Sequence, residues 1–499
     1  MKKINKLIFT SLLYLIVSLY AYAEKEITIL LTHDIHSFIQ PFREEDGSVV
    51  GGFARLSSAT EEIKNNTDGP LLQVDAGDFS MGTMYQSMYT KAAIELRMLG
   101  SLGIEFTTLG NHEFDFRDDG LFKMLNAAKA SQEKLPQILS SNLDFSQYTQ
   151  GENGEGLSLV KEYAIIEKDD IRIGLFGLMG KDSLSCAPLT KIPFADPIET
   201  AKKVVAQLKK EEVDLIICLS HSGTWLDNPK ISEDELLAKE VPEIDLIISG
   251  HTHSLFTEPL VYGNTLIVST GEYTKYLGTI HLGQTENNRW VNKEYKLIFM
   301  DDSITADPKM EKTIERYSSL INEYTQMFGF KSGDEILTYN PYVWSSQKYM
   351  EKHYEDHPFA QLITDSYRYA VNKNLGFIPD VGVEAIGVIR SVLPPGQVSV
   401  SDVYQCLSLG VGEDGISGYP LGIVYLTGKE LQNLAEVDAS VSKIMQGAQL
   451  YTSGLEYNIN PNRLILNRVT NVQIIKPDGT KEPVEEDKLY SVVSGLYDL

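Results

Sequence analysis

The side chains best suited to chemistry are histidines, aspartates and an asparagine that follow directly on short apolar runs of the chain. They lie in five segments: Thr32-His33-Asp34-Ile35-His36, Asp75-Ala76-Gly77-Asp78, Gly110-Asn111-His112-Glu113-Phe114-Asp115, Ser220-His221-Ser222-Gly223 and Ser249-Gly250-His251-Thr252-His253. Imidazole, carboxylate and amide groups are ligands of Zn²⁺, Mn²⁺ and related divalent ions. A pair of such ions can activate water for hydrolysis. The residue types therefore predict a metal-dependent hydrolytic site.

The apolar runs before these segments have the composition of buried strands. They are Ile27–Leu31, Leu71–Val74, Thr107–Leu109, Val213–Leu219 and Ile244–Ile248, and the similar runs Ile171–Leu178 and Thr265–Val268 occur elsewhere. Short runs rich in Ile, Val and Leu are typical of strands covered on both faces. Glu199–Glu212 has one apolar face and is predicted to be an amphipathic helix. Strands that alternate with helices indicate an α/β layered domain.

The spacing within the segments favours a shared site over separate surface residues. Because the carboxyl ends of strands in α/β sheets form one ligand-binding edge, distant segments can converge there. Asp34-x-His36 and His251-x-His253 place two donors on the same side of an extended segment. The carboxylate of Asp78 can bridge two cations. One such motif alone is more often an ordinary surface or core feature, whereas five at successive strand ends predict a dimetal centre.

The five segments resemble the sequence blocks of the calcineurin-like metallophosphoesterases. The continuation His112-Glu113-Phe114-Asp115 and the second half of the chain resemble specifically the 5′-nucleotidase family, which includes periplasmic UDP-sugar hydrolases and 2′,3′-cyclic-nucleotide phosphodiesterases. The resemblance implies a layered α/β-sandwich metallophosphoesterase domain, joined by a long helix to a second α/β substrate-binding domain. It also implies a metal-dependent phosphoric ester hydrolase that uses two divalent ions, Zn, Mn or similar.

The resemblance also assigns roles to individual residues. One metal ion would be held by Asp34, His36, Asp78 and His253. The second ion would be held by Asp78, Asn111, His221 and His251. His112, paired with Asp115, would contact the phosphate and stabilise charge without binding metal. His33 is expected to be only a neighbour of these ligands.

The chain is expected to divide into four parts. These are a signal peptide (1–23), a metallophosphoesterase domain (24–305), a helical linker (306–334) and a C-terminal substrate-binding domain (335–499). Three lysines, the apolar run Leu7–Leu19 and the small residues Ala21 and Ala23 form the signal-peptide pattern. The run is short for a bilayer span, so cleavage is favoured over an uncleaved anchor. We therefore expect an exported protein, periplasmic or extracellular, without a membrane span after cleavage.

The linker is predicted to be one long helix between the two domains. Asp307-Pro308 combines an N-cap residue with proline at the first helical position, and Gly329 can close the helix. Its single apolar stripe consists of Met310, Ile314, Tyr317, Ile321, Tyr324 and Phe328. A further helix is predicted at Ala360–Val371 in the second domain.

The second domain matches the family only in part. Ala385–Arg390 resembles the family stretch Asn-Gly-Gly-Gly-Ile-Arg and keeps its arginine, but lacks the asparagine and two of the glycines. Arg390 can bind a phosphate or carboxylate through two hydrogen bonds, with an ordinary ion pair as the alternative. Leu409 stands where the family has a base-stacking phenylalanine, and Tyr497 is expected either as a second base platform or as a core residue. The family usually continues with Gly-Gly-Asp, so either the chain is truncated at Leu499 or its pocket is closed differently.

The overall charge restricts the partners. The 499 residues carry a formal net charge of −25, which repels a nucleic-acid backbone or an anionic membrane surface. An anionic small substrate needs local cations, which again points to metals, and the sequence does not fix the oligomeric state. The predicted function is hydrolysis of nucleoside 5′-monophosphates, with UDP-sugars or cyclic nucleotides as alternative substrates. A catalytically silent nucleotide-binding protein is the alternative from another class, and the seven intact candidate ligands argue against it.

Overall fold

The computed structural model describes residues 25–44, 46–148, 154–226, 228–412, 414–442 and 446–496. The predicted signal peptide and Tyr497 lie outside these described residues. The strands of the first domain are β1 Glu26–Thr32, β2 Phe42–Arg43, β3 Val49–Val50, β4 Leu71–Asp75, β5 Phe106–Thr108, β6 Gln137–Leu139, β7 Val160–Lys161, β8 Tyr163–Lys168, β9 Ile171–Met179, β10 Leu215–His221, β11 Leu246–Ser249, β12 Leu260–Tyr262, β13 Thr265–Val268, β14 Tyr276–Gln284 and β15 Trp290–Phe299. Its helices are α1 Phe53–Asn66, α2 Tyr89–Ala92, α3 Ile94–Leu102, α4 Arg117–Ala130, α5 Gly154–Leu157, α6 Lys181–Ser185, α7 Pro197–Lys210 and α8 Glu233–Glu240.

The first domain is a sandwich of two sheets between layers of helices. One sheet has the order β15-β14-β1-β4-β5-β6-β7 and the other the order β12-β13-β11-β10-β9-β8. Strand β1 pairs in parallel with β4, and β10 pairs in parallel with β9 and β11. The carboxyl ends of these strands therefore meet at one edge of the sandwich. The predicted layered α/β architecture is confirmed.

Alternating side chains explain why the strands are apolar on both faces. In β10, Leu215, Ile217 and Leu219 lie in the core between the two sheets, whereas Ile216 and Cys218 pack against α7 and α8. The other sheet is covered by α1, α3 and α4. Successive strand side chains point to opposite faces, so a strand between two layers needs an apolar residue at every position.

The strand ends differ slightly from the sequence prediction. The run predicted as Val213–Leu219 forms a strand at Leu215–His221, so His221 is the last residue of β10 and does not follow it. Pairing with β9 continues to the end of β10, where His221 lies opposite Met179. The imidazole therefore extends from a paired strand, which restricts its position more than a loop would.

The predicted linker helix forms α9, Pro308–Gln326, and the Asp307 side chain accepts a hydrogen bond from the Lys309 amide at its start. Its buried residues Met310, Ile314 and Tyr317 lie in the same apolar cluster as α1, α3 and α4. The helix is therefore part of the outer layer of the first domain. No helix among the described residues is long and apolar enough to cross a membrane.

The second domain is a smaller α/β unit. Its strands are β16 Ile336–Asn340, β17 Val381–Ala385, β18 Gly396–Ser399, β19 Leu421–Thr427, β20 Leu450–Ser453, β21 Leu455–Ile459, β22 Val469–Ile475, β23 Lys481–Pro483 and β24 Leu489–Gly495. Its helices are α10 Gln347–Lys352, α11 Pro358–Leu375, α12 Val400–Cys406 and α13 Gly428–Val441. The central sheet has the order β19-β24-β17-β20, and α11 packs on it.

Polar contacts join the second domain to the first near the strand ends of the sandwich. Arg43 pairs with Asp402 at 2.7 Å, and Lys348 pairs with Glu272 at 2.9 Å. Gln86 donates to the hydroxyl of Ser417 at 2.6 Å. The second domain thus lies over the edge that carries the predicted ligands.

Candidate metal centre and phosphoester site

The loops and strand ends at this edge bring six of the seven predicted ligands into overlapping groups. Asp34, His36 and His253 form one group, and Asp78, His221 and His251 form another. A third group, His36, Asp78 and His112, lies between them. Within each group the candidate ligand atoms lie within 4.8 Å of one another. Two neighbouring sites, with Asp78 between them, result from five segments far apart in sequence.

The first group has the spacing of atoms that share one ion. His36 Nε2 and His253 Nε2 are 2.9 Å apart, and Asp34 Oδ1 lies 3.8 and 3.6 Å from them. Ligand atoms at about 2.1 Å from a common ion are roughly 3–4 Å from one another. Burial lowers the pKa of His36 well below its usual value and that of His253 to about 4. Both rings are therefore neutral and can donate lone pairs to a divalent cation.

The second group contains a buried charge pair. Asp78 Oδ2 lies 3.0 Å from His221 Nε2 and 3.9 Å from His36 Nε2, so one carboxylate oxygen faces both groups. Nδ1 of His221 donates to the carbonyl of Ala76 at 2.8 Å, which directs Nε2 inward. Burial alone would lower the pKa of His221, but Asp78 raises it to about 10. A metal ion at this position would replace that proton.

Asn111 is the seventh predicted ligand, and its surroundings are different. Its side chain is buried, and the Oδ1 atom accepts a hydrogen bond from Ser183 at 3.1 Å. It follows Gly110, where an added Cβ would collide with Asp78 and His221. Glycine thus permits the backbone to pass close to the second group. Because the amide oxygen contacts Ser183, which is not a candidate ligand, the role of Asn111 as a ligand stays a prediction.

His112 and Asp115 form the predicted pair beside the candidate ligands. His112 Nδ1 lies 3.0 Å from Asp115 Oδ2, and the His112 amide donates to Asp78 Oδ1 at 2.9 Å. The His112 ring centroid is 5.1 Å from that of His36. Burial lowers the pKa of His112, but Asp115 and Asp78 together raise it above its ordinary value. The imidazole is therefore held as a cation where a phosphoryl group would meet the metals.

The backbone is strained at the same edge. Five of the seven predicted ligands have positive φ angles: Asp34, His36, Asp78, His251 and His253. For residues with a Cβ this left-handed conformation costs roughly 1–2 kcal/mol each. Such residues cluster at sites where surrounding contacts determine the conformation. The pattern therefore supports a functional edge independently of the residue types.

Two buried residues that position the ligands were not predicted to do so. Glu113 accepts hydrogen bonds from the amides of Asp78 and Gly110 at 3.0 and 2.7 Å, so it holds two ligand loops together. His33, expected only as a neighbour, contacts Asp34 Oδ2 through Nδ1 at 2.6 Å and accepts from the Thr270 amide through Nε2. These contacts depend on loops that meet only in the folded chain.

Asp182 is a further carboxylate that the sequence interpretation missed. It follows β9, and its Oδ2 atom lies 2.9 Å from His251 Nε2. The hydrogen bond from His251 lowers the pKa of Asp182. Because Nε2 then carries the proton, Nδ1 of His251 retains the lone pair that a metal needs. The signal was present, since Asp182 also lies just beyond a strand end, but no histidine accompanies it there.

Replacing Asp182 with alanine is expected to weaken metal binding at the second group by roughly 10- to 100-fold, because the His251 ring loses its orientation. Isothermal titration of the metal-stripped protein with Zn²⁺ or Mn²⁺ measures this affinity directly. Asp119→Ala is the matched control, since its side chain is 72% exposed and pairs with Lys123 on the surface of α4. An affinity equal to that of the control would show that Asp182 does not orient His251.

Arg390 lies in the cavity that separates the two domains beside this site. The cavity has a volume of about 280 Å³ and is also lined by Lys348, Lys275 and Tyr273. The Nε atom of Arg390 is buried without a hydrogen-bond partner among the described residues. Leu409 is half-buried and does not line this cavity, and Tyr497 lies outside the described residues. Of the two predicted substrate-binding residues, only Arg390 is therefore placed at the site.

The sequence matches two family models that together cover most of the chain. Residues 27–255 match the calcineurin-like phosphoesterase family, and residues 338–498 match the 5′-nucleotidase C-terminal domain. The chain belongs to the 5′-nucleotidase family of calcineurin-like metallophosphoesterases. It is accordingly a metal-dependent phosphoester hydrolase, and the family resemblance inferred from the sequence motifs is confirmed.

Relatives along nearly the whole chain agree with this assignment. The chain is 25% identical to the trifunctional nucleotide phosphoesterase protein YfkN of Bacillus subtilis, over 95% of this chain but only 32% of that protein. It is 26% identical to the 5′-nucleotidase of Bos taurus, over 94% of this chain and 82% of the relative. The 5′-nucleotidase precursor of Thermus thermophilus has the same fold, with a TM-score of 0.74, 24% identity and coverage of 95% and 90% of the two chains.

Proposed function

We propose that this enzyme releases phosphate from nucleoside 5′-monophosphates, with two divalent ions held by the seven predicted ligands. The observation that carries the proposal is the position of Asp78. One of its carboxylate oxygens lies between His36 and His221, one from each group. The names of relatives such as the bovine 5′-nucleotidase support the substrate class. Export, predicted from residues 1–23, stays a prediction.

The residues of the chain suit the cleavage of a phosphomonoester. Bound divalent ions would lower the pKa of a water molecule and neutralise charge on the phosphoryl oxygens. His112 would hold its proton at Nε2 against a phosphoryl oxygen, while Asp115 keeps Nδ1 engaged and the ring in place. Positive charge at this point stabilises the negative charge that develops in the transition state.

The charges in the cavity between the domains favour one phosphate group over two. Lys275 pairs with Glu44 and Glu272, each at 3.0 Å, and Lys348 also pairs with Glu272. Arg43, the other basic residue at the cavity, pairs with Asp402. Arg390 has no ion-pair partner among the described residues. One unpaired cation beyond the metals matches a monophosphate better than a diphosphate such as a UDP-sugar.

Phosphate release from AMP by the full-length protein, followed with metal analysis, tests the proposal. We expect AMP to be cleaved with a higher kcat/KM than UDP-glucose or 2′,3′-cyclic AMP, and activity to disappear after chelation and return with Zn²⁺ or Mn²⁺. Preference for UDP-glucose or the cyclic nucleotide would favour those substrates instead. Two bound metals without turnover of any phosphoester would identify a silent binding protein. Full activity in metal-free protein would refute the mechanism.

A further inference from the structure

The two walls of the cavity between the domains differ in character. Of the described residues that line it, those from the second domain are serine, glutamine, valine, proline, lysine and arginine. The aromatic residues come from the first domain: Phe38, Phe42 and Tyr273, hereafter the aromatic wall. The position at which the family carries a stacking phenylalanine is Leu409, which lies outside the cavity. A planar group in the cavity therefore finds its aromatic contacts on the metal-binding domain.

The aromatic wall is a packed unit that begins at the metal site. The ring of Tyr273 lies 5.4 Å from His36 and 5.5 Å from His253, measured between centroids. Phe38 stacks on Tyr273 at 4.3 Å with an angle of 26°. Phe42 lies 6.1 Å from Tyr273, nearly perpendicular to it. The wall thus extends from the candidate ligands outward along the cavity.

The backbone holds Tyr273 in this place at an energetic cost. Tyr273 and Thr274 both have φ angles of 61°, a conformation that residues with a Cβ rarely adopt. The Tyr273 amide donates to the carbonyl of Asp34 at 2.9 Å, and the Thr274 hydroxyl accepts from the Gly52 amide at 2.8 Å. Strain that neighbouring contacts maintain beside a metal site indicates that the side chain has a function there.

The hydroxyl of Tyr273 is not used by the fold. It has no hydrogen-bond partner among the described residues, although the ring is largely buried between Phe38 and the histidines. Burial raises the pKa of Tyr273, and the positive charge of Arg390 opposes that shift. The hydroxyl and Arg390 therefore lie near each other in the same cavity. A polar group on the substrate can be bound there by both domains.

We propose that the aromatic wall binds the ring of the leaving group, so that this enzyme selects phosphomonoesters of planar, ring-bearing alcohols from its first domain. The inference rests on the proposed function and names the part of the site that recognises the leaving group. A ring bonded directly to the phosphate oxygen meets Tyr273. A ring separated by a sugar, as in a nucleotide, reaches Phe42. Phe38 is only 5% exposed and supports Tyr273 from behind.

The test compares ring-bearing and ring-free substrates in two variants. Phe42→Leu should lower kcat/KM for AMP by about 10-fold, since a stacked ring loses its partner, and should change that for ribose 5-phosphate less than about twofold. Tyr273→Leu should show the same selectivity for p-nitrophenyl phosphate over ribose 5-phosphate. Tyr148→Leu is the control, because its ring packs on Phe122 away from the cavity.

Binding of adenosine to the metal-stripped protein, measured by calorimetry, provides a readout that does not depend on turnover. We expect Phe42→Leu to weaken it by about 10-fold. Equal losses for ring-bearing and ring-free substrates, or no loss for either, would overturn the proposal. Failure of the wild-type enzyme to cleave AMP would refute the proposed substrate class alone, because p-nitrophenyl phosphate still tests the wall through Tyr273.

Discussion

Asp78→Ala should release at least one of the two proposed metal ions and lower kcat/KM for AMP by about three orders of magnitude or more. Loss of a residue that merely orients a ligand costs 10- to 100-fold, and Asp78 faces both groups of ligands itself. His221 would also keep a buried charge without its partner. Elemental analysis after dialysis, together with phosphate release, measures both effects.

Asp78→Asn separates charge from structure at the same position. Its amide oxygen can still accept the hydrogen bond that the His112 amide donates to Asp78 Oδ1. We therefore expect a folded protein with an unchanged melting temperature and the same loss of metal. His253→Ala, which changes only one group, should retain more metal than either variant. Normal metal content and rate in Asp78→Asn would show that the carboxylate does not bridge.

His112→Ala should lower kcat by roughly two to four orders of magnitude while both metals stay bound. The imidazole contacts Asp115 and stands beside the ligands, and no other residue described in the cavity replaces its charge close to Asp78. Parallel loss of metal and rate would make His112 a ligand and contradict the proposed role.

The pH profile tests the charge on His112 separately. Asp115 and Asp78 raise its pKa, so the cation persists to a higher pH than for an ordinary histidine, and its contribution is lost as the pH rises through the folded-state value. Asp115→Asn removes one of these charges. The alkaline limb of kcat should therefore move to lower pH in that variant. An unmoved limb would mean that another group limits the rate at high pH.

The sequence predicts this site well because its ligands depend on local patterns. The apolar alternation in β10 and the segment after β1 specify both a strand and the donor at its end, so Asp34 and His221 can be placed without tertiary information. Asp182 could have been found by the same rule. By contrast, the contact of His33 with Thr270 and the packing of Tyr273 on Phe38 join segments more than two hundred residues apart. No local pattern encodes such pairs.

The left-handed backbone of the metal ligands has a consequence for how this protein can change over time. Glycine would relieve the conformational cost at Asp34, His36 or His251, so the fold by itself favours losing these side chains. Selection for hydrolysis must oppose that tendency at each position. Thermal robustness and catalysis are thus in competition along one edge of the sandwich, and a lineage released from the need for activity would gain stability there first.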